Sequence, residues 1–230
     1  MKNKIKMVVF DMAGTTIDEN NVVYKTVQKA INEAGFNLSL EQVLAQGAGK
    51  EKLQAIKDIL DVYADNRDEA LAGRVYQSFI GHLADAYRTL EILPQPNANE
   101  LFAALREMDI LAVLNTGYDR QTAETIINKL GWEEGKDFDY LITATEVQKN
   151  RPNPDMIWYA MEEFGIDDAE EVIKVGDSII DIEEGQNAGC LLSIGITTGA
   201  HNYEQLKTAH PDHIIDDLRQ LIAIIDSIKD

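Results

Sequence analysis

The sequence predicts an α/β chain: a doubly wound, Rossmann-like parallel sheet with an all-helical block inserted after its first strand. Three observations carry this expectation. Residues 7–10 (Met-Val-Val-Phe) form an apolar run that ends on Asp11 and a Gly-Thr-Thr turn. Residues from about 20 to 92 keep a helical period with no strand pattern between them. From residue 97 onward strand patterns alternate with helical ones, which argues for a parallel sheet covered on both faces. The expected division is 1–17 with 97–230 as the sheet core and 18–96 as a helical cap domain.

Taken in order, the first strand is expected at about 5–10. Val23, Val27, Ala30, Ile31 and Ala34 form a helical stripe closed by Gly35. Leu53, Ile56, Ile59 and Leu60 form a second, and Tyr76, Phe79, Ile80, Leu83 and Tyr87 a third. Pro94-Gln95-Pro96-Asn97 breaks the chain, and Asn97 stands where it would cap the next helix. A strand near 110–114 precedes a helix near 119–130 that Gly131 closes. A strand near 138–142 leads to a helix whose first residue is expected to be Pro154. Residues 172–175 form a strand before a helix at 178–188, a further strand lies near 191–196, and Ile214-Ile215 precedes a helix at about 217–228.

Forty acidic and 21 basic residues give a net charge of −19, which turns the chain away from nucleic acid and anionic membranes. An anionic substrate then needs local help from a metal, a lysine or an arginine. The single cysteine, Cys190, excludes an intramolecular disulfide; it reads as a small core residue in a protein of a reducing, cytoplasmic setting. The amino-terminal apolar run is too short for a secretory signal, and no run approaches the ~18 apolar residues of a membrane span. The expected partner is a small anionic metabolite, with no nucleic acid and no membrane; a homodimer is allowed.

A buried strand ending in one carboxylate and a glycine turn packs poorly, yet it holds a nucleophile well at the carboxyl edge of a parallel sheet. Three further loops follow strands. Asn115-Thr116-Gly117-Tyr118 offers a hydroxyl and backbone N–H groups to phosphoryl oxygens, or is a plain strand-end turn. Arg151, in Asn150-Arg151-Pro152-Asn153-Pro154, supplies a cationic fork for phosphate and for the nucleophile, or belongs to a helix start. Asp177 and Asp181 lie one helical turn apart on one face. Together with Asp11 they would repel one another unless a hard cation such as Mg²⁺ is bound.

This ordered set resembles the haloacid dehalogenase-like hydrolase superfamily over nearly the whole chain: motif I is Asp11 to Thr15, motif II Thr116, motif III Arg151, and motif IV Asp177 with Asp181. Within it, Asp-x-Ala-Gly-Thr-Thr, Thr-Gly-Tyr and Arg-Pro-x-Pro resemble the phosphonoacetaldehyde hydrolase (phosphonatase) branch. The resemblance implies that Asp11 attacks phosphorus and that Mg²⁺ is held by Asp11, the Ala13 carbonyl, Asp177 and, through water or neighbours, Asp181. It implies phosphate or substrate contacts at Thr15, Gly49, Lys50, Thr116, Gly117 and Tyr118. Ordinary phosphatases of the family carry a second, acid–base Asp at position 13; Ala13 cannot supply a proton.

A C–P bond leaves as a carbanion, and a lysine condensed with a neighbouring aldehyde gives an iminium that accepts that charge. Matching the family's Gly-x-x-Lys pattern to Gly47-Ala48-Gly49-Lys50-Glu51-Lys52 puts the Schiff-base lysine at Lys52, with Lys50 as the alternative. Its amine must lose its proton, by desolvation or beside a cation such as Lys50. A phosphate-binding P-loop is excluded, because Glu51 occupies its Ser/Thr position. The chain departs from the phosphonatase pattern at Ala48, Ala55 and Asn21, where methionine, histidine and cysteine are expected. The leading expectation is a Mg²⁺-dependent hydrolase of phosphonoacetaldehyde or a related small phosphonate. A small-metabolite phosphatase is the alternative, and an inactive phosphoryl-ligand-binding relative the third. His201 follows an expected strand and either reaches the site rim or, the favoured reading, is a helix-start or solvent residue; Trp132 and Trp158 read as packing residues.

Overall fold

The computed structural model describes residues 5–228. Strand β1 (Met7–Asp11) is buried along its whole length because both faces are covered. Its two-residue alternation sends Val8 and Phe10 into one hydrophobic core and Met7 and Val9 into another. Around it lie β4 (Leu111–Thr116), β5 (Tyr140–Thr143), β6 (Val172–Gly176), β7 (Leu192–Ile196) and β8 (His213–Ile215). The six strands run parallel in the order β5-β4-β1-β6-β7-β8. Strand order therefore reverses between β1 and β6, and such a reversal opens a crevice at the carboxyl edge where open α/β sheets bind ligands.

Helices α5 (Ala98–Glu107), α6 (Arg120–Leu130) and α10 (Gln220–Ser227) bring Leu101, Phe102, Leu105, Ile126, Leu221 and Ile225 into the first core. Helix α7 (Asp155–Glu163) brings Met156, Ile157 and Ala160 into the second. Helix α8 (Ile179–Ala188) follows β6, and α9 (Tyr203–Lys207) precedes β8. Phe10, Phe102 and Trp132 meet edge-on at centroid distances of 5.6 and 5.4 Å, contacts worth about 0.5–1.5 kcal/mol each beyond their buried area. No helix among the described residues is long and apolar enough to cross a membrane.

Between β1 and β4 come α1 (Val22–Glu33), α2 (Leu40–Gly47), α3 (Lys52–Ala64) and α4 (Glu69–Thr89). The chain enters and leaves this helical block through a short antiparallel ribbon, β2 (Ile17–Asp18) paired with β3 (Leu93–Pro94). That ribbon is an element the sequence reading does not include, and it flanks the stretch from about 20 to 92 without interrupting it. With two residues per strand, it has no periodicity to read. Helix α2 is also additional to the three expected stripes. Its start is a capping box, Ser39 accepting from the Gln42 N–H and Gln42 answering the Ser39 N–H.

Other expectations shift by small amounts with clear causes. Pro154 is the residue before α7, not its first residue. Asn97 does stand at the start of α5, but its side chain donates to Asp217 instead of capping. Ala34 lies beyond the end of α1 and is exposed. Trp158 is 51% exposed, with only its indole N–H fixed, to the Ala188 carbonyl at 3.2 Å. Cys190 packs, partly buried, against the second core.

Candidate active site

The parallel register aligns Asp11 on β1 with Asn115 on β4, and Phe10 with Val175 on β6. Asp11, Thr116 and Asp177 thereby arrive together at the carboxyl edge, at the reversal of strand order. Gly14 turns the chain after β1 at φ +89°, and a Cβ there would overlap the Asp177 carboxylate. Only glycine allows both the turn and the close approach.

Arg151 reaches in from the loop before α7. Its Nη1 donates to Asp11 Oδ1 at 2.7 Å and lies 2.7 Å from Asp181 Oδ1; Nη2 donates to the Asn115 carbonyl and side-chain oxygens at 2.7 and 2.6 Å. Lys174, in the middle of β6 and fully buried, sits 3.2 Å from Asp181 and 2.9 Å from Glu184 and donates to Asn115 at 2.6 Å. Asn115 in turn donates to both oxygens of Glu184. Ser178 binds the second oxygen of Asp181 through both its N–H and its hydroxyl. Burial acts against every charge here, and proximity decides the outcome. It raises the Asp11 carboxyl despite Arg151. At Asp181 the Arg151 and Lys174 cations outweigh burial and hold the carboxyl below its usual range. At Arg151 the carboxylates of Asp181, Asp11 and Glu184 outweigh burial and hold the guanidinium above its ordinary pKa.

Asp177 has no such partner; the Ala200 N–H donates to it at 2.6 Å. Burial, then Asp11 and Asp181, push its carboxyl far up. Oxygens of Asp11, Asp177 and Asp181 lie within 4.8 Å of one another. Four buried carboxylates, these three and Glu184, face the two buried cations Arg151 and Lys174. The two charges left over are what a divalent cation neutralises, and an all-oxygen donor set suits a hard one. The residues present fit such an ion. The Thr15 hydroxyl is fully buried without a partner, and Thr116 Oγ1 accepts only the Tyr118 N–H, at 3.2 Å. An unpaired buried hydroxyl costs about 1–3 kcal/mol, so Thr15 is available to a ligand.

The helical block closes over this edge through the loop between α2 and α3. Gly49 packs on Ser178 and Ile180, where a Cβ would overlap both, and Gly117 meets the main chain of Gly49 and Lys50. At the start of α3, Lys52 is buried; its Nζ donates to the Lys50 carbonyl at 2.6 Å and lies 5.3 and 5.0 Å from the ring centroids of Tyr24 and Tyr118. Burial lowers its pKa to about 8; Asp11 pulls upward, and Arg151 adds to the lowering. The cation that helps lower it is thus Arg151, not Lys50. Lys50 turns its ammonium to Asp58 on α3 and offers the loop only its carbonyl.

The structure therefore gathers Asp11, Thr15, Thr116, Gly117, Tyr118, Arg151, Asp177, Asp181, Gly49 and Lys52 around one edge, while the Lys50 ammonium points elsewhere. Ala13 lies in the turn after β1 and brings no acid. His201 corrects the expectation of a solvent or helix-start residue: it is 5% exposed, its Nδ1 accepts the Ile179 N–H at 3.1 Å, and burial lowers its pKa. Lys174, Glu184 and Asn115 were not singled out from sequence. A lone lysine inside Val-Ile-Lys-Val and a glutamate one turn past Asp181 were the available signals. Tyr24, whose ring lies beside Lys52, and the buried Glu19 with its partner Tyr87 are further residues that the sequence reading does not single out.

A family model described as haloacid dehalogenase-like hydrolase matches residues 8–194. The chain is 32% identical over 213 residues to a phosphonoacetaldehyde hydrolase of Parabacteroides distasonis, covering 86% of this chain and 78% of that protein. It is 26% identical over 226 residues to a pyrophosphatase, PpaX, of Oceanobacillus iheyensis, covering 96% and 97%. Among solved structures, a hydrolase from Pseudomonas syringae superposes with a TM-score of 0.85 at 19% identity, over 98% of this chain and 100% of that one.

Proposed function

We propose, for a chain that belongs to the haloacid dehalogenase-like hydrolases, that its reaction is Mg²⁺-dependent cleavage of the C–P bond of phosphonoacetaldehyde or a related small phosphonate. One observation carries this reading: a buried lysine, Lys52, poised at a pKa of about 8 over the carboxylate edge, in a site whose turn offers no acid at Ala13. An ester leaving group wants a proton donor, whereas a carbanion wants an electron sink.

In this reading the Lys52 amine condenses with the aldehyde carbon, water departs, and an iminium forms. Thr15 and the Thr116-Gly117 turn hold the phosphoryl oxygens, and Arg151 fixes one oxygen of Asp11 so that the other faces phosphorus. Asp11 attacks phosphorus, the C–P electron pair moves into the iminium, and an enamine and an aspartyl phosphate result. Mg²⁺, held by Asp11, Asp177 and the Ala13 carbonyl with Asp181 behind them, would neutralise charge and polarise the phosphoryl group. Water then releases phosphate from Asp11, and protonation of the enamine followed by hydrolysis frees Lys52. A cytoplasmic protein acting on a small metabolite fits the chain's acidity and its single cysteine.

A small-metabolite phosphatase is the second reading. The end-to-end match to a pyrophosphatase and the departures at Ala48, Ala55 and Asn21 favour it. Borohydride with phosphonoacetaldehyde separates the two. C–P cleavage predicts a reduced adduct on the Lys52 peptide by mass, absent in Lys52→Arg. No adduct in a wild type that hydrolyses phosphate esters makes the enzyme a phosphatase, and an adduct on Lys50 moves the lysine.

A further inference from the structure

Iminium formation moves protons: the ammonium must lose one, and the carbinolamine hydroxyl must gain one to leave as water. The chain lacks the histidine and cysteine that its resemblance would place near the amine, at Ala55 and Asn21. The structure puts a different group there. Glu19, in the turn between β2 and α1, is 3% exposed. The Tyr87 hydroxyl donates to its Oε2 at 2.6 Å from 68 residues away, and the Val23 N–H and Lys52 bear on the same carboxyl. Tyr118, whose ring lies under Lys52, turns its hydroxyl toward Glu19 and Tyr87 and completes no hydrogen bond of good geometry although it is buried. An unpaired buried hydroxyl beside a buried carboxyl and a buried amine is a costly arrangement for packing alone. Tyr87 also lines an open cleft between α4 and α6.

We propose that Glu19 is the group that exchanges protons with the amine chemistry at Lys52: it takes the ammonium proton and returns it to the departing hydroxyl. The proposal rests on the reading of Lys52 as the Schiff-base lysine. In balance, Glu19 carboxylate, which lies beyond ion-pair distance of Lys52, removes a proton from the Lys52 ammonium through one bridging water. The nitrogen lone pair bonds to the aldehyde carbon, and the second nitrogen proton moves to the alkoxide. The Glu19 carboxyl protonates the hydroxyl, the C–O bond breaks to release water, the nitrogen pair closes the iminium, and Glu19 is again a carboxylate. The groups that face it are Tyr24 from α1, Lys52 from α3, Tyr87 from α4 and Tyr118 from the loop after β4. Burial raises its pKa to about 7, against the Tyr87 bond and the Lys52 charge, so both of its states are populated at neutral pH.

The test is the rate of borohydride-trapped adduct at Lys52 between pH 6 and 9, with phosphonoacetaldehyde and separately with acetaldehyde, in wild type, Glu19→Gln and Tyr87→Phe. Glu19→Gln should lose at least about tenfold at pH 6–7, and the deficit should close above about pH 8, where the Lys52 amine is already neutral and needs no base. Tyr87→Phe removes a bond to the charged form, leaves less Glu19 carboxylate at pH 6–7, and should lower the rate there while matching wild type above about pH 8. A merely structural defect would lower the rate equally at every pH. Glu19→Gln trapping at the wild-type rate, or with a pH-independent deficit, overturns the role of Glu19 while leaving Lys52 standing. Absence of any wild-type adduct with either aldehyde overturns both readings.

Discussion

Arg151 and Asp181 at the sheet edge and Glu19 and Lys52 on the cap side are all buried, yet their ionisation shifts in opposite directions. At the sheet edge, Arg151 and Asp181 are driven further into their charged forms, because each has several opposite charges within hydrogen-bond reach. On the cap side, Glu19 rises to about 7 and Lys52 falls to about 8, because burial outweighs the pull of the Tyr87 bond on Glu19 and of Asp11 on Lys52, and Arg151 adds to the lowering of Lys52. Burial alone therefore predicts nothing about ionisation; the count and distance of opposite charges decide it. In the edge cluster Arg151 and Asp181 keep their charges through the working pH range and can anchor and stabilise, whereas burial pushes Asp11 and Asp177 toward neutrality. The cap cluster titrates near neutrality and can exchange protons.

The largest effect that follows from this division is on chemistry. Asp11→Asn keeps the side chain's shape and removes the nucleophile, so turnover should fall by about a thousandfold or more with the circular dichroism spectrum unchanged. Retention of a tenth of the activity would remove Asp11 from that role.

Next in size is a pair of stability changes. Arg151→Met leaves Asp11, Asp181 and Glu184 buried against a single remaining cation, Lys174, and should cost on the order of 3–5 kcal/mol in denaturant titration. Lys52→Met removes a charge that burial already disfavours and should leave stability unchanged or raised. Equal losses from the two variants would erase the distinction between the clusters.

Smaller again is the pH dependence of Glu19. Its folded pKa lies above its unfolded value near 4.5, so the folded state binds more protons between about 4.5 and 7. Stability then falls as pH rises through that window, and the penalty is complete above it. Glu19→Gln should match wild type below pH 4 and exceed it by about 1–3 kcal/mol at pH 8. Parallel curves from pH 4 to 9 would show that Glu19 carries no such shift.

The two clusters also differ in how far the sequence exposes them. Asp11, Thr116 and Asp177 each follow a buried strand, and in a parallel sheet the ends of successive strands converge, so linear order translates into a site. Lys174 and Glu184 complete the same cluster yet stand inside β6 and α8, where a polar residue reads as a local irregularity until its neighbours are known. On the cap side, the position of Lys52 came from motif resemblance, but its surroundings did not. Glu19 and Tyr87 are joined only by the packing of α4 over the β2–α1 turn, and no periodicity encodes that contact. The β2–β3 ribbon escaped for a related reason: Ile17 and Leu93 are too few residues to show a strand pattern. Helix α2 was legible in the Ser39–Gln42 capping box, but its apolar stripe is short.

The central claim is that Lys52 is a neutral amine for part of the time at physiological pH. Competitive acetylation of all lysines across pH 6–11, read peptide by peptide by mass, measures it directly; burial slows the labelling of Lys52 but does not move its midpoint. A midpoint near 8 is expected, which leaves about one Lys52 in ten unprotonated at pH 7, against about three in ten thousand for a lysine near 10.5. A Lys52 midpoint among those of the exposed lysines would contradict the account.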